Sequence, residues 1–66
     1  MSIEGYIINN FKNDNKEGIR EAIEESVKSN DEVTLPGMGV FMKIIWSNAS
    51  QKLKDEMLSI IESNLK

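Results

Sequence analysis

The chain has 66 residues, 39% of them hydrophobic, and a formal net charge of −3. This length predicts one small domain, residues 1–66, with a thin margin of stability. Cys and His are absent. This removes disulfides, the Cys and His ligands of structural zinc, thiolate nucleophiles and imidazole bases, so we expect a protein that is not an enzyme and holds no cofactor.

Turn-forming residues divide the chain into four short segments, with breaks near residues 12–14, 30–38 and 48–50. The first segment runs from Ile3 to Phe11. Its apolar residues share one broad face, and this pattern predicts a short helix that Gly5 weakens.

The second segment carries the clearest helical pattern. Asp14 and Glu17 stand three residues apart, as a capping box requires, and apolar residues then recur at helical spacing. The other face of this predicted helix is rich in Glu. We expect this helix to end at Asn30.

The third segment begins with the run Leu35-Pro36-Gly37-Met38-Gly39, which predicts a turn that leads into a helix. The residues before the proline are expected to be extended. The stretch from Val40 to Trp46 has apolar residues at helical spacing, but Val, Phe, Ile and Trp also favour strands. We favour a buried helix and keep the strand as the alternative.

The last segment predicts an amphipathic helix that Ser50 caps. Its apolar stripe is spaced for a helix and consists of Leu53, Met57, Ile60, Ile61 and Leu65.

Together these segments predict an all-α fold, a small bundle of four short helices around one core. So small a core benefits from a partner surface, which makes a homodimer a candidate assembly. The residues expected to line the core are Ile7, Phe11, Ile19, Ile23, Val27, Val40, Phe41, Ile44, Ile45, Trp46, Leu53, Met57, Ile60 and Ile61.

Three features admit a functional reading beside a structural one. The glycine run resembles an anion site at a helix N-terminus, but no lysine follows at phosphate-loop spacing, so we favour a tight helix entry. Trp46 could stack on a base, but its isoleucine neighbours favour a core position. Five acidic residues between Glu21 and Glu32 lack the spacing of a calcium loop and predict a solvated face rather than a metal site.

Nucleic acid is a candidate partner, with Lys43, Lys52 and Lys54 as the phosphate contacts. Residues 1–35 carry four basic and eight acidic side chains, whereas residues 36–66 carry four basic and three acidic ones. The net charge therefore disfavours DNA, and acidic neighbours make a solvated face the simpler interpretation of the three lysines.

The stretch Leu35-Pro36-Gly37-Met38-Gly39-Val40-Phe41, followed by Ile44-Ile45-Trp46, resembles the small acid-soluble spore protein I family of endospore-forming bacteria. That family has a Leu-Pro-Gly-hydrophobic-Gly-Val run followed by an Ile-Trp pair. The motif residues here are Leu35, Pro36, Gly37, Gly39, Val40 and Trp46. The resemblance implies a minor protein of the spore core that is made in the forespore. It implies no catalytic residues.

Residues 32–41 are also similar to the segment of bacterial histone-like proteins that leaves a helix and enters a strand. Only 25 residues follow Phe41. These are too few for the saddle and basic arms of those proteins, so the likeness indicates a shared turn.

The N-terminus predicts no signal peptide, and the apolar runs are too short to cross a membrane. We therefore expect a cytoplasmic-type protein that is not secreted. The leading hypothesis is a non-enzymatic spore-core protein whose molecular role and partners are unknown. The alternatives are nucleic-acid binding through the three lysines, and a protein-interaction module that uses Met38, Met42 and Trp46.

Overall fold

Four α-helices make up the fold in this computed structural model, which describes residues 2–66. The all-α prediction is confirmed, and no strand occurs among these residues. The strand alternative for residues 40–46 is therefore wrong. The helices are α1 (Ile3–Phe11), α2 (Lys16–Ser29), α3 (Leu35–Asn48) and α4 (Gln51–Leu65), with a 3₁₀ turn at Glu32–Thr34 before α3.

Serine hydroxyls cap the first and last helices. The Gly5 N–H donates to Ser2 Oγ at 3.0 Å, and the Leu53 N–H donates to Ser50 Oγ at 3.1 Å. Each cap satisfies one of the N–H groups that lack a partner within the helix. The predicted cap at Ser50 is confirmed.

The start of α2 differs from the prediction by one residue. Asn15 is the N-cap, with an extended backbone, and its Oδ1 accepts the Gly18 N–H at 3.0 Å. Asp14 instead closes the turn after α1, where its N–H donates to the Phe11 carbonyl at 3.0 Å. The capping box of Asp14 and Glu17 was therefore wrong, because Asp14 is already committed to that turn.

The predicted stop at the end of α2 is confirmed. Asn30 takes the left-handed conformation, with φ of 53°, and its N–H donates to the Ser26 carbonyl. Asparagine tolerates this conformation better than most residues other than glycine, so it suits a helix C-terminus.

Helix α3 begins earlier than predicted, at Leu35, and includes the Pro-Gly-Met-Gly run in its first turns. Pro36 fits there because the first turn of a helix needs no N–H from it. None of the glycines has a positive φ. The residues before the proline form the 3₁₀ turn instead of an extended segment, because Asp31 Oδ1 accepts the Val33 N–H at 3.0 Å.

Helix α3 is the centre of the molecule, and α1, α2 and the 3₁₀ turn pack against it. The rings of Phe11 and Phe41 meet across the α1–α3 contact. A Cβ built on Gly37 would lie 3.7 Å from Ile7 Cδ1, which is ordinary van der Waals distance. At the far end of α3, the ammonium of Lys54 lies 5.2 Å from the centre of the Trp46 ring.

The predicted core is only partly confirmed. Val40 is the one buried hydrophobic residue of the part that the structure describes, at 8% exposure. Six predicted core residues are half-buried: Ile7, Phe11, Ile19, Ile23, Phe41 and Met57. The prediction was wrong for seven that are exposed: Val27, Ile44, Ile45, Trp46, Leu53, Ile60 and Ile61.

The exposure of these residues follows from an open arrangement of the helices. The radius of gyration is 13.0 Å, whereas a compact domain of this length has about 11 Å. The accessible surface is 5751 Å², whereas a compact monomer of 7.5 kDa has roughly 4,200 Å². Much of the apolar surface that the sequence assigned to a common core therefore remains uncovered.

Candidate functional site

An apolar groove lies where α1, α2 and α3 meet; we call it the central groove. Its volume is about 250 Å³. The edge-to-face pair of Phe11 and Phe41 belongs to its lining. The lining residues are Ile7, Ile8 and Phe11 of α1, Lys12 directly after α1, Ile19 and Ile23 of α2, and Val40, Phe41, Ile44 and Ile45 of α3.

The chemistry of this groove is that of a hydrophobic binding surface. Lys12 is its single charged lining residue, and the other nine lining residues are apolar. Among residues 2–66 no carboxylate, hydroxyl or amide side chain lines it, so these residues offer no pair of groups there for proton transfer or nucleophilic attack. Burial of an apolar partner surface is the interaction that such a lining favours.

A second uncovered apolar surface runs along α4; we call it the α4 face. Met57 is half-buried, whereas its neighbours on this face are exposed. Leu53 is 43%, Ile60 64% and Ile61 45% exposed. Leu58 and Leu65 extend the face on one side and are also exposed. An amphipathic helix normally buries such a face, and in this chain it is largely open to solvent.

The three lysines proposed as phosphate contacts have different surroundings. Lys43 Nζ lies 2.8 Å from Glu4 Oε1, in an ion pair between α3 and α1. Lys54 is half-buried with its ammonium over the Trp46 ring. Lys52 is exposed, and because it stands two residues from Lys54 on one helix, the two side chains point to different faces.

The residues of the predicted family motif all lie in α3, five of them between Leu35 and Val40 and the sixth, Trp46, near the end of the helix. Val40 is buried, Gly37 is half-buried, and Leu35, Pro36 and Gly39 are exposed. Trp46 is 38% exposed, near the end of the helix, so its ring is neither in a closed core nor fully free. Of the two methionines of the interaction hypothesis, Met38 is half-buried and Met42 is 45% exposed.

The acidic side chains of α2 form a solvent-exposed face, and Glu24 lies beside the groove residues Ile19 and Ile23. The side chains of Glu21, Glu24 and Glu25 are exposed. Across residues 2–66 there is no group of three or more potential ligands that could hold a metal ion. No helix in the described part of the chain has the length and apolar character needed to cross a membrane.

Comparison with known proteins places this chain in a family. The family model for small, acid-soluble spore protein I matches residues 1–65. The chain belongs to the small, acid-soluble spore protein I family. Proteins of that name from Bacillus mycoides (strain KBAB4) and Bacillus cereus (strain G9842) are each 34% identical over 66 residues, which cover 100% of this chain and 96% of each relative. A relative of the same name from Bacillus anthracis (strain A0248) has the same identity and coverage.

This family membership confirms the resemblance carried by the motif from Leu35 to Trp46 and makes the chain a protein of bacterial spores. No solved structure matches the chain.

The sequence did not single out every residue of the two apolar surfaces. Ile8 and Lys12 line the central groove, but neither was among the predicted core or site residues. Leu58 on α4 was also missed, although its exposure continues the apolar face. The available signal was the width of the apolar faces of α1 and α4, which is greater than one packing stripe requires.

Proposed function

We propose that this chain is a non-enzymatic protein of the spore core that acts by binding a protein surface through the central groove. The observation that carries the proposal is the groove itself, open and lined by nine apolar residues in a chain with one buried hydrophobic side chain among residues 2–66. A partner that covers these side chains removes apolar surface from water, which favours association.

The lining chemistry supports a binding role over catalysis. The chain has no Cys or His, and the charged lining residue of the groove, Lys12, stands alone among apolar side chains. A single ammonium at the edge of an apolar groove does not supply the acid and base that group transfer requires. It suits the polar rim of a protein interface instead.

The charge composition supports membership of an acid-soluble class. The side chains carry 8 basic and 11 acidic groups. In strong acid the carboxylates are protonated and only the eight positive charges remain, so mutual repulsion keeps the chains dispersed. The property in the name of its relatives is therefore expected of this chain too.

A nucleic-acid role has weaker support. Lys43 is already paired with Glu4, and Lys52 and Lys54 point to different faces of α4. A labelled DNA duplex titrated with the protein at two salt concentrations tests it. We expect no binding at either concentration; affinity that falls steeply as salt rises would revive the three lysines as phosphate contacts.

The spore-core role is tested in sporulating cells of the source bacterium. A photo-reactive residue in place of Ile44, on the groove, is expected to cross-link to protein inside decoated spores. The matched control carries it in place of Glu25, on the exposed polar face of α2, and is expected to give no specific product. Accumulation outside the forespore, or identical products from both positions, would contradict the proposal.

A further inference from the structure

We infer that the central groove receives helix α4 of a second copy of this chain, and that two copies exchange their α4 helices reciprocally. This inference rests on the proposed function, because it names the partner that the groove binds. The partner is then a protein of known chemistry, since its docking surface is the α4 face.

The two surfaces are both apolar, and one is a groove whereas the other is the face of a helix. The groove is concave and apolar, whereas α4 is a convex rod of 15 residues, about 22 Å long. Leu53, Met57 and Ile60 recur at the i, i+4, i+7 spacing by which an amphipathic helix anchors itself in an apolar groove. One chain therefore carries both halves of a helix-in-groove interface.

Within a single chain these halves do not meet. No residue of α4 is among the lining residues of the central groove in the described part of the chain. The connection between α3 and α4 consists of Ala49 and Ser50, both with extended backbones. The extended two-residue hinge leaves α4 outside its own groove, and exchange of an element between copies is a low-cost route to a dimer.

The amount of uncovered surface fits a dimer. The chain exposes 5751 Å², which exceeds the surface of a compact monomer of its mass by roughly 1,500 Å². A stable complex of standard size needs about 800 Å² from each partner, and intimate homodimers need more. The excess on each copy is enough to form such an interface.

Symmetry makes a second copy a better occupant than an unrelated helix. When α4 of each copy enters the groove of the other, both grooves and both α4 faces are covered, and the assembly closes at two copies. A foreign helix in the groove leaves the α4 face of this chain exposed.

Sedimentation of the purified full chain from micromolar to millimolar concentration tests the assembly. We expect a species of twice the 7.5 kDa chain mass. Ile60→Asp, at a position 64% exposed in the single chain, is expected to weaken dimerisation by at least about 100-fold because it sets a carboxylate in an apolar groove. Ser59→Asp, on the polar face of α4, is the matched control and is expected to leave the dimer intact.

Cross-linking tests the exchange itself. Because the chain has no native Cys, the introduced thiols are the only ones that react with the reagent. One sample mixes chains that carry Ile8→Cys with chains that carry Ile60→Cys, and a short bismaleimide is added. We expect a mixed covalent dimer in yield above that of either variant alone. A single chain that carries both Ile8→Cys and Ile60→Cys serves as the control. A wild-type monomer at every concentration, or a cross-link that forms only within that doubly substituted chain and not between the two single variants, overturns the inference.

Failure here is separable from failure of the proposed function. If the chain is monomeric in solution but the Ile44 photo-probe captures a different protein in spores, the exchange is wrong and the binding role stands. If the protein is absent from the spore core, the proposed function fails whatever the oligomeric state.

Discussion

The rings of Phe11 and Phe41 meet edge to face, with their centroids 5.1 Å apart and their planes at 76°. This geometry sets the positive edge of one ring against the negative face of the other, which stabilises the pair beyond the area it buries. The contact joins α1 to α3 within the lining of the central groove. It therefore stabilises the fold and shapes the surface that we propose as the binding site.

Replacement of Phe41 tests the weight of this contact. Phe41→Ala is expected to lower the free energy of unfolding by about 2–3 kcal/mol, less than for a fully buried ring because Phe41 is half-buried. Urea unfolding followed by circular dichroism, at one fixed protein concentration, measures it. Met42→Ala, the neighbour that is 45% exposed, is the control. Equal losses for both variants would mean that the ring pair contributes little.

The glycine at position 39 offers a stabilising substitution. Gly39 is helical and exposed, its φ is not positive, and a Cβ there would meet nothing within 4 Å. Gly39→Ala is therefore expected to raise the free energy of unfolding by about 0.5–1 kcal/mol, since alanine costs less conformational entropy in a helix. Thermal unfolding provides the measurement. A lower midpoint would indicate that Gly39 is needed for a contact that the single chain does not make.

The N-cap of α2 can be tested by replacing each of two neighbouring residues, Asn15 and Asp14. Asn15→Ala is expected to cost about 1 kcal/mol, because the Gly18 N–H loses its acceptor. Asp14→Ala is the matched control and is expected to cost less. Chemical denaturation of both variants gives the comparison. If Asp14→Ala cost more, the capping box suggested by the sequence would describe the chain better than the observed cap does.

The left-handed residue that ends α2 provides a further prediction. Asn30→Ala is expected to destabilise the protein by about 1 kcal/mol, since a Cβ without a compensating polar group disfavours a φ of 53°. Asn30→Gly is expected to be neutral or stabilising, because glycine adopts this conformation without strain. The unfolding midpoints should rank glycine at or above asparagine, and alanine below both. A different order would argue that the Asn30 side chain matters more than its backbone.

The ion pair of Glu4 and Lys43 is expected to contribute little. Their side chains are 42% and 68% exposed, and the charged atoms are 2.8 Å apart. A double-mutant cycle with Glu4→Gln and Lys43→Gln should give a coupling free energy of about 0.5 kcal/mol that shrinks in high salt. Coupling above about 2 kcal/mol would mean that the pair is desolvated, for instance by a partner that covers α1 and α3.

The sequence predicted those local features of the fold that depend on interactions between residues close together in the chain. The helical spacing in α2 and α4, the Ser50 cap and the Asn30 stop each depend on a few neighbouring residues, and each was predicted correctly. The start of α2 was missed because Asp14 and Asn15 are both good caps. The turn that ends α1 determines which of the two caps α2, because the Asp14 N–H donates a hydrogen bond to the Phe11 carbonyl within that turn.

The candidate site was less predictable, because apolar periodicity reports which face of a helix is hydrophobic but not what covers it. Ile44 and Ile60 both lie on apolar faces and were therefore assigned to the core. In the structure they are 46% and 64% exposed. The same pattern of residues fits a buried core and an uncovered interface equally well, so pattern alone does not separate them.

The sequence by itself determined the helical class, the number of helices, the exclusion of Cys and His chemistry, and the family to which the chain belongs. These depend on local propensity, residue identity and spacing. Only the tertiary structure decided that α3 is the central helix, that Phe11 meets Phe41, and that the α4 face stays open. These depend on how a two-residue hinge and the packing of α1, α2 and the 3₁₀ turn against α3 set the helices in space, and no local pattern encodes those relationships.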